Sequence, residues 1–348
     1  MKLNKLIRDN IAALKPYSSA RDEFSGEAMV FLDANENPYN EPYNRYPDPH
    51  HKALKDRIAV LKGVDPESIF LGNGSDEPID LLVRAFCEPG RNNIVIMTPT
   101  YGMYEVAAGI NKVETIKVQL SSDFQLSAAN MLSAVNEESR LMFLCSPNNP
   151  TGNLLDGGEI LTLVKNFNGI VVVDEAYIDF APGNSLLPLL SAYDNLVVLQ
   201  TFSKAWGMAG LRLGMAFGSP ELIAVLNKIK YPYNLNVLTQ EVALSRLDHA
   251  AEVEAWVAHL IEERHRLATA LLTMPRVERI FPSDANFLLI RIRNARSVYK
   301  QLLQKGIVVR DRSAVVLCHD TLRITVGTPS ENNQLLEALA ALGIDSND

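Results

Sequence analysis

In the segment 201-TFSKAWGMAGLRLG-214, a lysine, Lys204, follows the apolar run Leu196–Leu199, and Arg212 stands eight residues further on. An ammonium at the end of a buried strand is costly to desolvate. Such a lysine either snorkels outward or serves as an amine nucleophile and base. Four other apolar runs also close on polar residues. Ile170–Val173 leads into Asp174-Glu175-Ala176-Tyr177, and a carboxylate in that place needs a cation or several donors. Ile69–Leu71 leads into Gly72-Asn73-Gly74-Ser75-Asp76. That is either a glycine turn with a Ser or Asp cap, or an anion cup at a helix start. Ile94–Met97 leads into Thr98-Pro99-Thr100-Tyr101, a proline-broken loop whose tyrosine could also face a planar ring. Leu141–Cys145 leads into Ser146-Pro147-Asn148-Asn149-Pro150-Thr151-Gly152. This reads as a tight turn, or as backbone locked so that one side chain points at one atom. Singly, each has a bland reading. Five in succession point to one cleft.

An amine, a buried carboxylate, an aromatic platform and an anion cup together suit pyridoxal 5′-phosphate. Its aldehyde condenses with a lysine, and its ring nitrogen needs a carboxylate to stay protonated as an electron sink. Its phosphate calls for N–H groups and an arginine.

Strand ends can only converge if a sheet presents them together. The short Val/Ile/Leu runs alternate with helical stretches such as His51–Lys62 and the one ending at Phe86, the pattern of a buried, mainly parallel sheet. Ligands sit at the carboxyl ends of such strands. With 348 residues the chain exceeds one simple core. The predicted fold is α/β, a large sheet domain with a smaller C-terminal α+β domain. Its boundaries are an N-terminal arm and loop over 1–44, the large domain over 45–240 and the small domain over 241–348. In the small domain a helical pattern runs from about 240 to Leu272. Strands are predicted at Phe287–Arg291, Ile307–Arg310 and Leu322–Val326, and helices around 297–305 and from Ser330. Leu3, Leu6, Ile7, Ile11 and Leu14 give an amphipathic arm rather than a signal peptide, and residues 28–49, rich in Pro, Asn and Tyr, read as an ordered loop.

Composition narrows the partners. The net charge of −8 comes with no dense basic run, which argues against nucleic acid. Cys87, Cys145 and Cys318 are far apart and odd in number, so no disulfide framework is expected, and a reducing, cytoplasmic setting follows. No His or Cys spacing suits a metal, and no apolar run spans a membrane.

The order Y…NPTG…DxxY…SK…R resembles the fold-type I pyridoxal-phosphate enzymes of the aspartate aminotransferase superfamily. KPY (15–17), LDANENP (32–38), RYPDP (45–49), GNGSDE (72–77), PTYGMY (99–104), SPNNPTG (146–152) and LRITVGT (322–328) are more closely similar to its histidinol-phosphate aminotransferase family. The resemblance implies that Lys204 condenses with the cofactor aldehyde and then moves the proton. It implies that Asp174 pairs with the ring nitrogen, that Asn149 and Tyr177 bond the phenolic oxygen, and that Tyr101 stacks on the ring. Gly74, Ser75, Asp76, Thr201, Ser203 and Arg212 are implied around the cofactor phosphate, with Tyr46 reaching in from a second subunit of a homodimer. Arg323 and Arg310 are implied to grip the substrate phosphate, and Tyr17 and Asn35 to line the substrate pocket. The implied reaction exchanges the amino group between L-histidinol phosphate and 2-oxoglutarate, in histidine biosynthesis. The alternatives are decarboxylation of a phosphorylated amino acid such as threonine phosphate, transamination of aromatic amino acids, or a non-enzymatic cofactor-binding module. Two departures from the family pattern stand out: only Tyr39–Asn44 separate ANENP from RYPDP, and Gln200 replaces a common arginine.

Overall fold

The structure is a computed structural model that describes residues 3–17 and 30–342. Residues 28 and 29 of the predicted loop lie outside the described residues. From 30 to 49 the chain forms neither helix nor strand, in keeping with its proline content. The Arg45 guanidinium, 2.8 Å from the Glu36 carboxylate, closes the short Tyr39–Asn44 excursion.

Seven strands form the large sheet: β1 (Ile69–Asn73), β2 (Asn93–Thr98), β3 (Glu114–Gln119), β4 (Ser139–Cys145), β5 (Ile170–Asp174), β6 (Leu196–Thr201) and β7 (Leu213–Phe217). Their spatial order is β1-β7-β6-β5-β4-β2-β3. Neighbours from β3 through β6 pair in parallel, and β7 is antiparallel to both β6 and β1. The carboxyl ends of β1, β2, β4, β5 and β6 therefore open on the same edge of the sheet, which is where the five polar segments lie. Their apolar runs are buried because helices cover the sheet. Every residue of β5 and β6 is buried.

Two of these strands are absent from the sequence reading. The edge strand β3 is half exposed and alternates with no long apolar run. β7 begins at the end of the glycine-rich segment 201–214, and the sequence predicts no strand there. In both the hydrophobic signal is diluted, by edge position in β3 and by glycine in β7.

A second sheet, ordered β10-β11-β9-β8, is antiparallel and comprises β8 (Val277–Ile280), β9 (Phe287–Ile292), β10 (Arg310–Asp311) and β11 (Thr321–Thr325). The strand predicted over 307–310 is instead the two-residue β10, which shares only Arg310 with it. The long helical pattern after residue 240 divides into two helices, Val237–Leu247 and Ala250–Leu272, and residue 240 falls in the first. The second helix bridges two cores. Val253 and Val257 pack with the large sheet, whereas Leu267 and Leu271 pack with the second sheet. The N-terminal arm forms a short helix, Asp9–Ala13, and of its apolar residues only Leu3 is fully buried.

Candidate active site

A cleft of about 610 Å³ lies across the carboxyl edge of the large sheet and is closed on one side by the second sheet. Its lining draws Ser75 and Asp76 from the end of β1, Tyr101 from beyond β2, and Cys145 and Asn149 from β4 and its turn. Asp174 and Tyr177 come from β5, Thr201, Ser203 and Lys204 from β6, and Arg212 from the start of β7. Arg310, Arg312 and Arg323 arrive from β10, β11 and the turn between them.

Asp174 is the last residue of β5 and only 2% exposed. Its Oδ2 accepts a 2.6 Å hydrogen bond from Tyr104 Oη, and its Oδ1 accepts from the Ala176 N–H at 3.1 Å. Burial pushes its pKa up to about 6, while Tyr104 and Ala176 pull the other way. Tyr104 is fully buried and stacks on Phe143 with centroids 4.8 Å apart, so its hydroxyl is fixed. Sequence reasoning passed over Tyr104, the second tyrosine of PTYGMY. No local pattern singled it out, because its partner Asp174 lies 70 residues away.

Lys204 Nζ stands 5.5 Å from the Tyr177 ring centroid. Lys204 is an exposed residue of the cleft wall, yet its pKa is lowered. Loss of water around the amine is the main cause, reinforced by Arg323 and Arg212 and opposed by Asp174 and Asp76. These causes favour the neutral amine relative to a free lysine. Asn149 Nδ2 donates to Tyr177 Oη at 3.4 Å, and Arg323 hydrogen-bonds the Asn149 Oδ1, tying the second sheet to the turn after β4.

The glycine turn after β1 packs against the start of β7. The Gly74 N–H donates to Arg212 O at 2.7 Å, and Gly74 has φ +72°, a conformation that favours glycine. A Cβ on Gly74 would lie 2.5 Å from Arg212 Nη2. One on Gly214 would lie 2.2 Å from Ser75 N. Glycine at both positions is what lets the guanidinium and the backbone approach each other. Ser75 precedes the helix Asp76–Phe86 without capping it by its side chain, which leaves first-turn N–H groups for an anion. Tyr101 Oη donates to Asp76 Oδ1 at 3.0 Å, and Asp76 in turn lies 3.6 Å from Arg212. Thr201 and Ser203 hydroxyls are 2.9 Å apart at the same end.

Tyr17, Asn35 and Tyr46 are exposed and do not line this cleft. Tyr46 stacks on Tyr233 with centroids 4.4 Å apart, and Tyr17 borders a small crevice with Lys228 and Tyr233. Beneath the cleft, Gln200 Nε2 donates to Glu175 Oε2 at 2.9 Å, and burial pushes the Glu175 pKa up to about 7. Gln200 thus meets that carboxyl as a neutral donor where an arginine would bring a charge. Among the described residues no group of three His, Cys, Asp or Glu side chains could hold a metal ion.

A family profile for class I and II aminotransferases matches residues 30–339. The chain belongs to the class I and II aminotransferase family. This aminotransferase is 59% identical over 337 residues to the histidinol-phosphate aminotransferase of Parabacteroides distasonis, covering 97% of this chain and 98% of that one. Among solved structures, the histidinol-phosphate aminotransferase of Clostridium acetobutylicum matches with a TM-score of 0.80 and 25% identity, over 86% of this chain and 90% of that one. The Sinorhizobium meliloti histidinol-phosphate aminotransferase, solved in complex with pyridoxal 5′-phosphate, shares the fold with a TM-score of 0.79 at 24% identity, over 85% and 82% of the two chains. No helix of the aminotransferase, among its described residues, is long and apolar enough to cross a membrane.

Proposed function

We propose that this aminotransferase exchanges the amino group between L-histidinol phosphate and 2-oxoglutarate, with pyridoxal 5′-phosphate as cofactor, in histidine biosynthesis. The observation that carries the reading is the two-sided cleft. One wall offers an amine, a buried carboxylate and a glycine-built anion cup, and the other offers three arginines. The names of the relatives support the substrate.

The residues present fit the cofactor. The cup at Gly74, Ser75, Thr201, Ser203 and Arg212 suits its phosphate, because a Cβ at Gly74 or Gly214 would fill the space. Asp174 suits a protonated ring nitrogen, since a fully buried carboxyl needs a cationic partner to ionise well below its pKa of about 6. Tyr101 would face the ring, and Asn149 and Tyr177 would bond its phenolic oxygen. When bound, the cofactor supplies an electron sink for the substrate carbon that bears the amine.

The protein's own part is binding and proton movement. Arg323 and Arg310 hold the substrate's phosphate, and the same forks accept a carboxylate of 2-oxoglutarate, which lets one cleft take both reactants. Lys204, with its lowered pKa, takes the proton from the substrate carbon and returns it one position away. Its Nζ stands over the Tyr177 ring, on the cleft wall. A homodimer would let Tyr46, exposed on one chain and outside that chain's own cleft, reach the cleft of a partner, as the family resemblance implies. A cytoplasmic location suits three free, buried cysteines.

The test is the visible spectrum of the holoenzyme during titration with L-histidinol phosphate in the absence of oxo-acid. Loss of the cofactor's lysine-bound absorbance, restored by 2-oxoglutarate, is expected. A band that responds only to an aromatic amino acid, or carbon dioxide released from threonine phosphate, replaces the substrate assignment. Lys204→Ala is expected to bind the cofactor and to lose turnover by at least about a thousandfold, because nucleophile and base go together. Turnover near wild type without added amine would remove Lys204 from the chemistry.

A further inference from the structure

The cleft holds a third arginine that the substrate assignment does not use. β10 reads Arg310-Asp311 and continues into Arg312, so alternation along the strand puts the two arginines on one face and Asp311 on the other. The contacts agree with this. Arg310 and Arg312 line the cleft, while Asp311 lies 4.0 Å from Arg296 and accepts from the Ser313 N–H. Arg310 is directly opposite Arg323 in the β10/β11 pair, and the Arg312 N–H donates to Thr321 O, which holds the register. Three arginines therefore line one side of the cleft, from β10, β11 and the turn between them.

Nothing among the described residues neutralises them. Arg323 meets Asn149 and the Phe287 face, and neither carries a charge. Arg312 Nε is buried and has no hydrogen-bond partner. The groups that favour a charge on Arg312 are Cys318 and Tyr177, and burial raises the pKa of both, leaving them neutral. Burial, Arg323 and Arg310 all lower the Arg312 pKa. Two guanidinium forks satisfy a carboxylate. A third, with a buried and unmet donor, fits a group with three terminal oxygens and two charges.

We infer that Arg312 is a third arm of the substrate clamp and sets the preference for a phosphate dianion over a singly charged or uncharged end group. The inference rests on the substrate reading above and adds the residue that gives the cleft its selectivity.

The experiment compares holoenzymes of wild type, Arg312→Gln and Arg312→Lys. The readout is the ratio of kcat/KM for L-histidinol phosphate to that for dephosphorylated L-histidinol, with the inhibition constant of inorganic phosphate as a second measure. Loss of a charged, bidentate donor predicts that the ratio falls about ten- to a hundredfold in Arg312→Gln. Arg312→Lys keeps the charge without the fork and is expected to lie between. Inorganic phosphate should bind both variants more weakly. A general folding defect would depress both amines together and leave the ratio in place. A ratio kept within about twofold of wild type in Arg312→Gln overturns the role of Arg312 while the substrate reading stands. A wild-type enzyme with no preference for the phosphorylated amine overturns the substrate reading and this inference with it.

Discussion

The Tyr104 hydroxyl is the side-chain donor to a carboxyl that is otherwise stripped of water. Tyr104→Phe keeps the stacked ring against Phe143 and removes that donor alone. The Tyr104 bond favours the ionised form, so its loss should raise the Asp174 pKa above about 6. The expected result is weaker cofactor binding, by about tenfold, with the acidic limb of the affinity profile moved to higher pH. Spectroscopic titration of apoenzyme with pyridoxal phosphate between about pH 5 and 8 would show it, and an unmoved limb would mean Asp174 is held ionised by something else. At this scale the sequence was legible wherever an apolar run closed on a polar segment. Lys204, Asp174, Asn149 and Tyr101 all lie in such segments, and all line the cleft. Tyr104 and Arg312 were not legible, for a shared reason: their partners lie 70 residues away for Tyr104 and on a facing strand for Arg312. No local pattern announces a partner that only tertiary structure supplies.

Among the elements, the β1/β7 pair carries the tightest constraint. Gly214 sits opposite Gly72, and a methyl group there would collide with the backbone at Gly74 and Ser75. Backbone cannot move aside as a flexible side chain can. Gly214→Ala is therefore expected to lower stability by at least about 2 kcal/mol and to weaken cofactor binding, as β1 is pushed away from Arg212. Gly109→Ala serves as the control. That glycine is helical with open space around its Cα, so the exchange should raise stability by about 0.5–1 kcal/mol. Thermal unfolding of the two variants decides the matter, and equal melting temperatures would refute the packing argument. Sequence periodicity found the buried parallel strands because each is a continuous apolar run. It missed β7, whose Leu213-Gly214-Met215 is broken by the very glycine the cup requires. Function had overwritten the folding signal at that point.

For the molecule as a whole, the decisive element is the helix Ala250–Leu272, which inserts one end into each core. Leu267 is wholly buried on the second-sheet side. Leu267→Ala should cost about 2–5 kcal/mol. Because the helix is shared, the loss is expected as one cooperative transition at lower temperature, with the large-sheet signal moving along with it. Calorimetry resolving two separate transitions would show that the helix does not couple the cores. The change in texture near residue 240 suggested a second body, but a helix serving both was not readable, since amphipathic spacing does not say which core a face will meet. The cleft has the same divided parentage, with the lysine and carboxylate from one sheet and the three arginines from the other. A doubly charged guest lodged between them acts as a strut, and it has to leave before the sheets can part. Occupancy then sets how often the chain opens to a protease, so an enzyme well supplied with its own substrate should outlive a starved one.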